Sequence, residues 1–339
     1  MSDKRFYELQ APLTVRAAAL AAGAALVHGD DTLMLCDVAA LETAAPDEIA
    51  FVRSARHLKG LHSLSAGLCL CTEDVKDPLI ALGVQAVAVC PRPDEAFNTL
   101  ALLLVQPKRA SFTEYAISPH ARLGKNVQIG AGVCIGPDAQ IGDGTVIGPY
   151  AVIGPGCVLG KNCIIGANAV VGFTVMGDRV DIRPGAVLGE PGLGVFADEN
   201  GIVASAHFGS VYLGDEVRIG ANSTVDRAVF GQTQIGARSK LDNLVQVSHN
   251  VQIGEDCVLA SFCGIAGSSV LGNDVMMGGR AGIADHITIG TGARIAAAAA
   301  VMKNIPDGEV WGGHPARPLR RYMREQIALR DLATKKGVS

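Results

Sequence analysis

Aromatic side chains are scarce in this chain: one Trp, five Tyr and nine Phe among 339 residues. A core built around large rings is thereby excluded, and the interior must be filled by aliphatic and small side chains. No apolar run approaches the roughly 20 residues of a membrane span. The N-terminus lacks the charged, apolar and small-residue succession of an export signal, so a cytoplasmic location is expected. Basic excess is absent too. The net charge is −4 and the pI is near 6.1, which argues against nucleic acid as the main partner. The nine Cys include no CxxC pair. They are expected to be reduced thiols in small core slots, with no metal centre built on them.

What the chain does have is a period. From Ile235 an aliphatic residue recurs at every sixth position through Val301, twelve times in succession. An earlier run, Leu123 to Val171, has nine members. A six-residue period fits neither a helix nor an alternating strand; it marks a parallel β-helix built from hexapeptides. The 41 Gly supply tight corners. Three hexads make an 18-residue triangular coil.

Residues 1–110 lack the hexad. Short apolar runs there (Gly67 to Leu70, Ala86 to Cys90) alternate with helix-like stretches from Thr14 to Ala25 and from Asp94 to Val105. Thr14 and Asp94 are expected helix caps. The fold expected is mainly β: a left-handed parallel β-helix over 111–305, preceded by a small α/β domain over 1–110 and followed by a bridge and one amphipathic helix over 306–339. The helix phase breaks twice, at an excursion near 189–212 and at a slip near Phe230 to Gln234. Long excursions from a solenoid often carry function.

Aliphatic residues fill the coil interior, so chemistry must sit outside it. The densest polar cluster runs from Asp242 through Gln246, Ser248 and His249 to Asn250. His286 lies 37 residues beyond His249, close to two full coils, so both belong near one face. Asp242 occupies a small-residue slot on the preceding face, from which a carboxylate could reach round the corner. A His held by a carboxylate suits general-base chemistry. Gly264 and Gly267 could offer backbone N–H groups to an oxyanion. A solvated His pair and a zinc site are the competing readings. Arg317, Arg320, Arg321 and Arg324 crowd the C-terminal bridge and helix, either as a solvated face or as a dock for an acidic carrier.

The N-terminal α/β domain, the hexads, Asp242-Asn243…Gln246-Val247-Ser248-His249-Asn250, Val225-Asp226-Arg227 and Gly313-His314-Pro315-Ala316 together resemble the UDP-3-O-acylglucosamine N-acyltransferase family of lipid A synthesis. The resemblance covers nearly the whole chain. It implies a homotrimer that moves a 3-hydroxyacyl chain from acyl carrier protein to a sugar 2-amine, with no cofactor beyond the carrier's phosphopantetheine. It implies His249 as general base, Asp242 as its orienting carboxylate, Gly267 as oxyanion donor and His286 as a second active-site His. Gln246 and Asn250 are expected at the substrate. Phe51, Ser54 and His57 match the nucleotide-binding positions, where Ser54 and His57 replace the usual Asn and Tyr. Glu190-Pro191 and Leu193 depart from the family's glycine-rich loop, and Ala228 stands where Gly is usual. A related transferase acting on another nucleotide-linked amino sugar, a non-catalytic hexapeptide scaffold and a hexapeptide carbonic anhydrase are the alternatives. Small residues from Ala296 to Ala300 suggest room for a long acyl chain.

Overall fold

The computed structural model describes residues 2–109, 115–198, 201–313 and 318–335. From Arg122 onward the chain winds through three flat parallel sheets. Sheet I begins at Arg122–Leu123 and has nine strands, sheet II begins at Gln128–Ile129 and has ten, and sheet III begins at Cys134–Ile135 and has nine. Most strands are two residues long. In Gln246–Val247, for example, Val247 is buried and Gln246 faces outward. That alternation follows from the two-residue pleat, and it places the hexad aliphatics on the axis. Ile135, Ile153, Ile165, Val171, Ile235, Val247 and Leu259 are fully buried. Burial of each such side chain contributes roughly 1.5–3 kcal/mol.

Each coil needs three sharp corners, and these draw on the left-handed backbone region. At the corner between sheets III and I, Asn250, Ser268 and His286 have φ of 62°, 61° and 56°. Positive φ at the third residue of a four-residue turn is the type II geometry. Buried hydroxyls tie neighbouring coils together. Ser239 Oγ donates to the Gly254 carbonyl (2.8 Å) and accepts from the Cys257 N–H (3.0 Å). The nine cysteines are free thiols, and seven of them are buried.

The N-terminal part is a five-stranded sheet in the order Ala25–His28, Val87–Val89, Leu68–Cys71, Glu48–Val52, Asp37–Val38. Its helices are α1 (Val15–Ala21), α2 (Lys76–Ala81) and α3 (Pro93–Leu104). Thr14 caps α1, accepting from the Ala17 N–H at 3.1 Å. That helix stops at Ala21, earlier than the sequence pattern suggests, because Gly23 turns the chain at φ +60° into the strand beginning at Ala25. Asp94 is not the cap of α3; Pro93 opens the helix and Asp94 sits in its first turn. This part is docked on the solenoid by rings: Tyr7 meets Phe173 at 5.3 Å, and Phe97 meets Phe230 at 5.8 Å.

Two boundaries shift. The excursion ends before Ser210, because Ser210–Leu213 already pairs in sheet I, and its tip is the hairpin Val195–Asp198 with Gly201–Ala204. The solenoid continues past 305, since Val310–Trp311 pairs with Arg294–Ile295 in sheet II. Helix α4 (Leu319–Lys335) leaves Leu319, Met323, Ile327 and Leu332 exposed, so its apolar face has no cover among the described residues. No described helix is long and apolar enough to cross a membrane.

Candidate active site

The site forms where the excursion folds back on the corner between sheets III and I. His249 occupies that corner, directly after the strand Gln246–Val247. Its neighbour Asn250 fixes its chemistry. The Asn250 amide N donates to the Phe230 carbonyl (2.9 Å), and its Oδ1 accepts from the Val229 N–H (2.8 Å). Those two bonds settle which end of the amide is oxygen. His249 Nδ1 lies 3.3 Å from the same Oδ1. An amide oxygen only accepts, so Nδ1 carries the proton and Nε2 carries the lone pair.

That lone pair lies beside a glycine. A Cβ on Gly267, one coil along, would come within 2.7 Å of His249 Nε2 and 2.6 Å of Cε1. Only a residue with no side chain admits the ring there. On another side stands Gly192 of the excursion, whose Cβ would meet His249 Cδ2 at 2.9 Å and Asp226 Oδ2 at 3.2 Å. The Gly267 N–H takes part in no hydrogen bond among the described residues.

Two further groups complete the setting, neither of them singled out by spacing. Asp226 accepts from Gln246 Nε2 at 2.9 Å. Burial pushes its carboxyl above the usual range, while the Gln246 bond and nearby His249 pull it down. His207 is buried, and its ring stands edge-to-face against His249 with centroids 5.4 Å apart. Burial lowers its pKa to about 4, against a smaller upward pull from the Ser205 carbonyl.

Asp242 does not orient His249 within the chain. It sits at the corner between sheets II and III, with the strand Gln246–Val247 between it and the imidazole. Its Oδ2 accepts instead from the Ser261 hydroxyl. That bond and the Asn243 N–H hold its carboxyl below the usual range. Asn250 sets the ring tautomer in its place. Gln246 likewise is engaged by Asp226 and by the Thr224 hydroxyl. His286 does share the His249 corner, two coils on, and its N–H donates to the Gly267 carbonyl (3.1 Å). It occupies the left-handed slot equivalent to Asn250, not that of His249, and its side chain is exposed.

From this corner a groove runs along the outside of sheet III. Gln246, Gly264, Gly282 and Ala300 form its floor, flanked by Ala266, Ala284 and Met302. The four floor positions span three coil spacings, about 14 Å at strand separation. Ala296 is not part of it, since its backbone N–H donates to the Trp311 carbonyl (2.8 Å) under the last coil.

Residues 120–155, 138–173, 156–190 and 232–267 match the bacterial transferase hexapeptide (six repeats) family. A UDP-3-O-acylglucosamine N-acyltransferase of Caulobacter sp. (strain K31) is 44% identical over 100% of this chain and 99% of its own length. The enzyme of the same name from Azorhizobium caulinodans is 46% identical, over 100% of this chain and 98% of its own. This chain belongs to the UDP-3-O-acylglucosamine N-acyltransferase family. A solved Arabidopsis UDP-N-acetylglucosamine acyltransferase has a TM-score of 0.54 and 24% identity, over 64% of this chain and 79% of that one, and shares the fold.

As a member of that family of acyltransferases, the chain places Phe51 where the N-terminal part meets the excursion. Phe51 packs on Phe97 (centroids 4.8 Å) and lines a cavity of about 210 Å³ with Arg53, Asn98, Phe196 and Phe230. Ser54 and His57 are not on its wall. Ser54 Oγ instead accepts from the Arg56 N–H (3.4 Å) at the start of a short 3₁₀ turn, where His57 is exposed. Arg317 lies outside the described residues. Arg320, Arg321 and Arg324 are exposed on α4, with Arg321 paired to Glu325 at 2.9 Å.

Proposed function

We propose that this chain transfers a 3-hydroxyacyl group from acyl carrier protein to the 2-amine of UDP-3-O-acylglucosamine, an N-acylation step of lipid A biosynthesis. The observation that carries the reading is the His249 imidazole, held by Asn250 with its Nε2 lone pair free beside Gly267. The sugar amine attacks the thioester carbonyl while Nε2 takes its proton. The new oxyanion accepts from the Gly267 N–H. As the tetrahedral intermediate collapses, the C–S bond breaks and the imidazolium returns the proton to the departing thiolate. No covalent enzyme intermediate and no cofactor are required. Asp226 faces the same Gly192 as His249, and its carboxylate favours formation of the imidazolium.

The remaining parts fit the two substrates. The Phe51–Phe97 cavity suits the flat base of the nucleotide, and the Gly264–Gly282–Ala300 groove suits the acyl chain. The exposed arginines of α4 suit an acidic carrier protein. The uncovered apolar face of the same helix is consistent with the homotrimer.

The test is a transfer assay with 3-hydroxyacyl carrier protein and a panel of UDP-amino sugars, run on wild type and His249→Ala. Wild type acylates UDP-3-O-acylglucosamine and the variant loses at least about 100-fold in kcat. Transfer only to a different sugar would move the acceptor assignment. A fully active His249→Ala would remove the base.

A further inference from the structure

His207 lies in the irregular excursion, where no period governs its place, yet its backbone is anchored from three directions. Its carbonyl accepts from the Tyr7 hydroxyl (3.1 Å) and from Arg227 Nε (3.3 Å), and the preceding Ala206 N–H donates to Asn98 Oδ1 (2.9 Å) on α3. Arg227 is itself fixed, donating to the Gly189 carbonyl (2.7 Å) with its guanidinium 4.2 Å above the Phe173 ring. The excursion is thereby fastened to Tyr7, to α3 and to the solenoid, all around this one residue.

The side chain is equally determined. His207 Nδ1 lies 3.2 Å from the Ser205 carbonyl, which can only accept. Nδ1 therefore holds the proton and Nε2 the lone pair. That Nε2 is fully enclosed and has no hydrogen-bond partner among the described residues. A buried acceptor left bare is destabilising and calls for a compensating role. The neighbouring ring at 5.4 Å is His249. Gly194 makes room for this arrangement, since a Cβ there would come within 3.1 Å of His207 Cε1.

We propose that His207 is a positioning residue for the acyl transfer, its bare Nε2 serving to stabilise His249 while that ring carries the substrate's proton. The assignment rests on His249 acting as the base. Before the base takes a proton, the His207 lone pair has no cation to stabilise. Once His249 is an imidazolium, a neutral acceptor beside it lowers the energy of the cation, and only for the duration of the chemical step. Such an interaction raises kcat without changing ground-state binding. The low pKa of His207 suits this task, because a second cation at this distance would oppose the first.

Three variants of the full chain separate this role from a packing role. In His207→Gln the side-chain amide oxygen reaches the place of Nε2. In His207→Asn the amide reaches only the place of Nδ1, and His207→Phe keeps the ring without an acceptor. With the sugar and carrier on which wild type turns over, His207→Gln is expected within about threefold of wild-type kcat. His207→Asn and His207→Phe are expected to lose about tenfold or more in kcat, with KM for both substrates within twofold. His207→Asn at wild-type kcat overturns the proposal. So does a rise in KM at constant kcat, or a loss in His207→Gln as large as in His207→Asn. An inactive wild type would fault the assigned reaction and not His207.

Discussion

Replacing Gly267 by Ala perturbs the base and little else. The backbone there is not in the left-handed region, so alanine is conformationally permitted. The added methyl would stand 2.6 Å from His249 Cε1 and 2.7 Å from Nε2, against the roughly 3.5–4.0 Å of an ordinary carbon contact. The imidazole must therefore retreat by about 1 Å. It is tethered on its other side by Asn250, which is itself bonded to Val229 and Phe230, so the retreat strains the Nδ1 contact or tilts the ring. A displacement of that size costs about 100-fold in rate when it separates a base from its proton. Steady-state transfer kinetics should show kcat down by about that factor, with circular dichroism and melting temperature close to wild type. Gly267→Ala protein that is folded and retains kcat within twofold would refute the claim that the reaction takes place between His249 and Gly267.

Acid should weaken the fold through His207. Its pKa lies at about 4 in the folded chain against 6.5 for a free imidazole, because burial disfavours the charge. Between those values the unfolded chain holds a proton that the folded one does not, so stability falls as pH drops from 6.5 toward 4, by up to about 3 kcal/mol per chain. Asp226, raised by burial, has the opposite slope at lower pH, so the measurement is the difference between wild type and His207→Gln in urea unfolding across that range. Equal slopes would show that His207 is not the source. Reversing Arg320 and Arg324 to Glu should raise KM for the carrier protein at least about tenfold at low salt, with KM for the sugar unchanged. Loss of that difference at high salt would confirm its electrostatic origin.

The solenoid was legible because each coil repeats one physical problem: a single aliphatic side chain per face must reach the axis. Counting in sixes therefore located the inner ladder from Ile235 to Val301 and put His249 and His286 at one corner. Counting does not show how a corner aims its side chains. Asp242 and His249 are close in sequence, yet a two-residue strand and two turns separate them, and Ser261 takes the carboxylate. Asn250 read as a contact to substrate, whereas both ends of its amide are spent on backbone. Asp226 carried a usable signal. It follows buried Val225 as Asp242 follows Leu241, each a carboxylate in a slot that most other coils fill with Gly, Ala or Ser. His207 had no such signal, because its position depends on contacts with Tyr7, Asn98 and Arg227 from distant parts of the chain. Of the two expected helix caps, Thr14 is in place, whereas Pro93 starts its helix one residue ahead of Asp94.

The 18-residue coil also sets rules for how this gene can change length. Removing or adding one whole coil below the His249 corner keeps every face in register and alters the groove along sheet III by a single strand spacing, about 4.8 Å. Six residues would instead turn everything downstream by a third of a revolution and carry the groove floor to another side. The excursion shows a third route: extra chain leaves at a corner near Gly189 and returns at Ser210 without disturbing the ladder. Length variation among relatives should therefore collect at corners or come in eighteens, and a deletion of one coil would shorten the acyl groove while leaving the base in place.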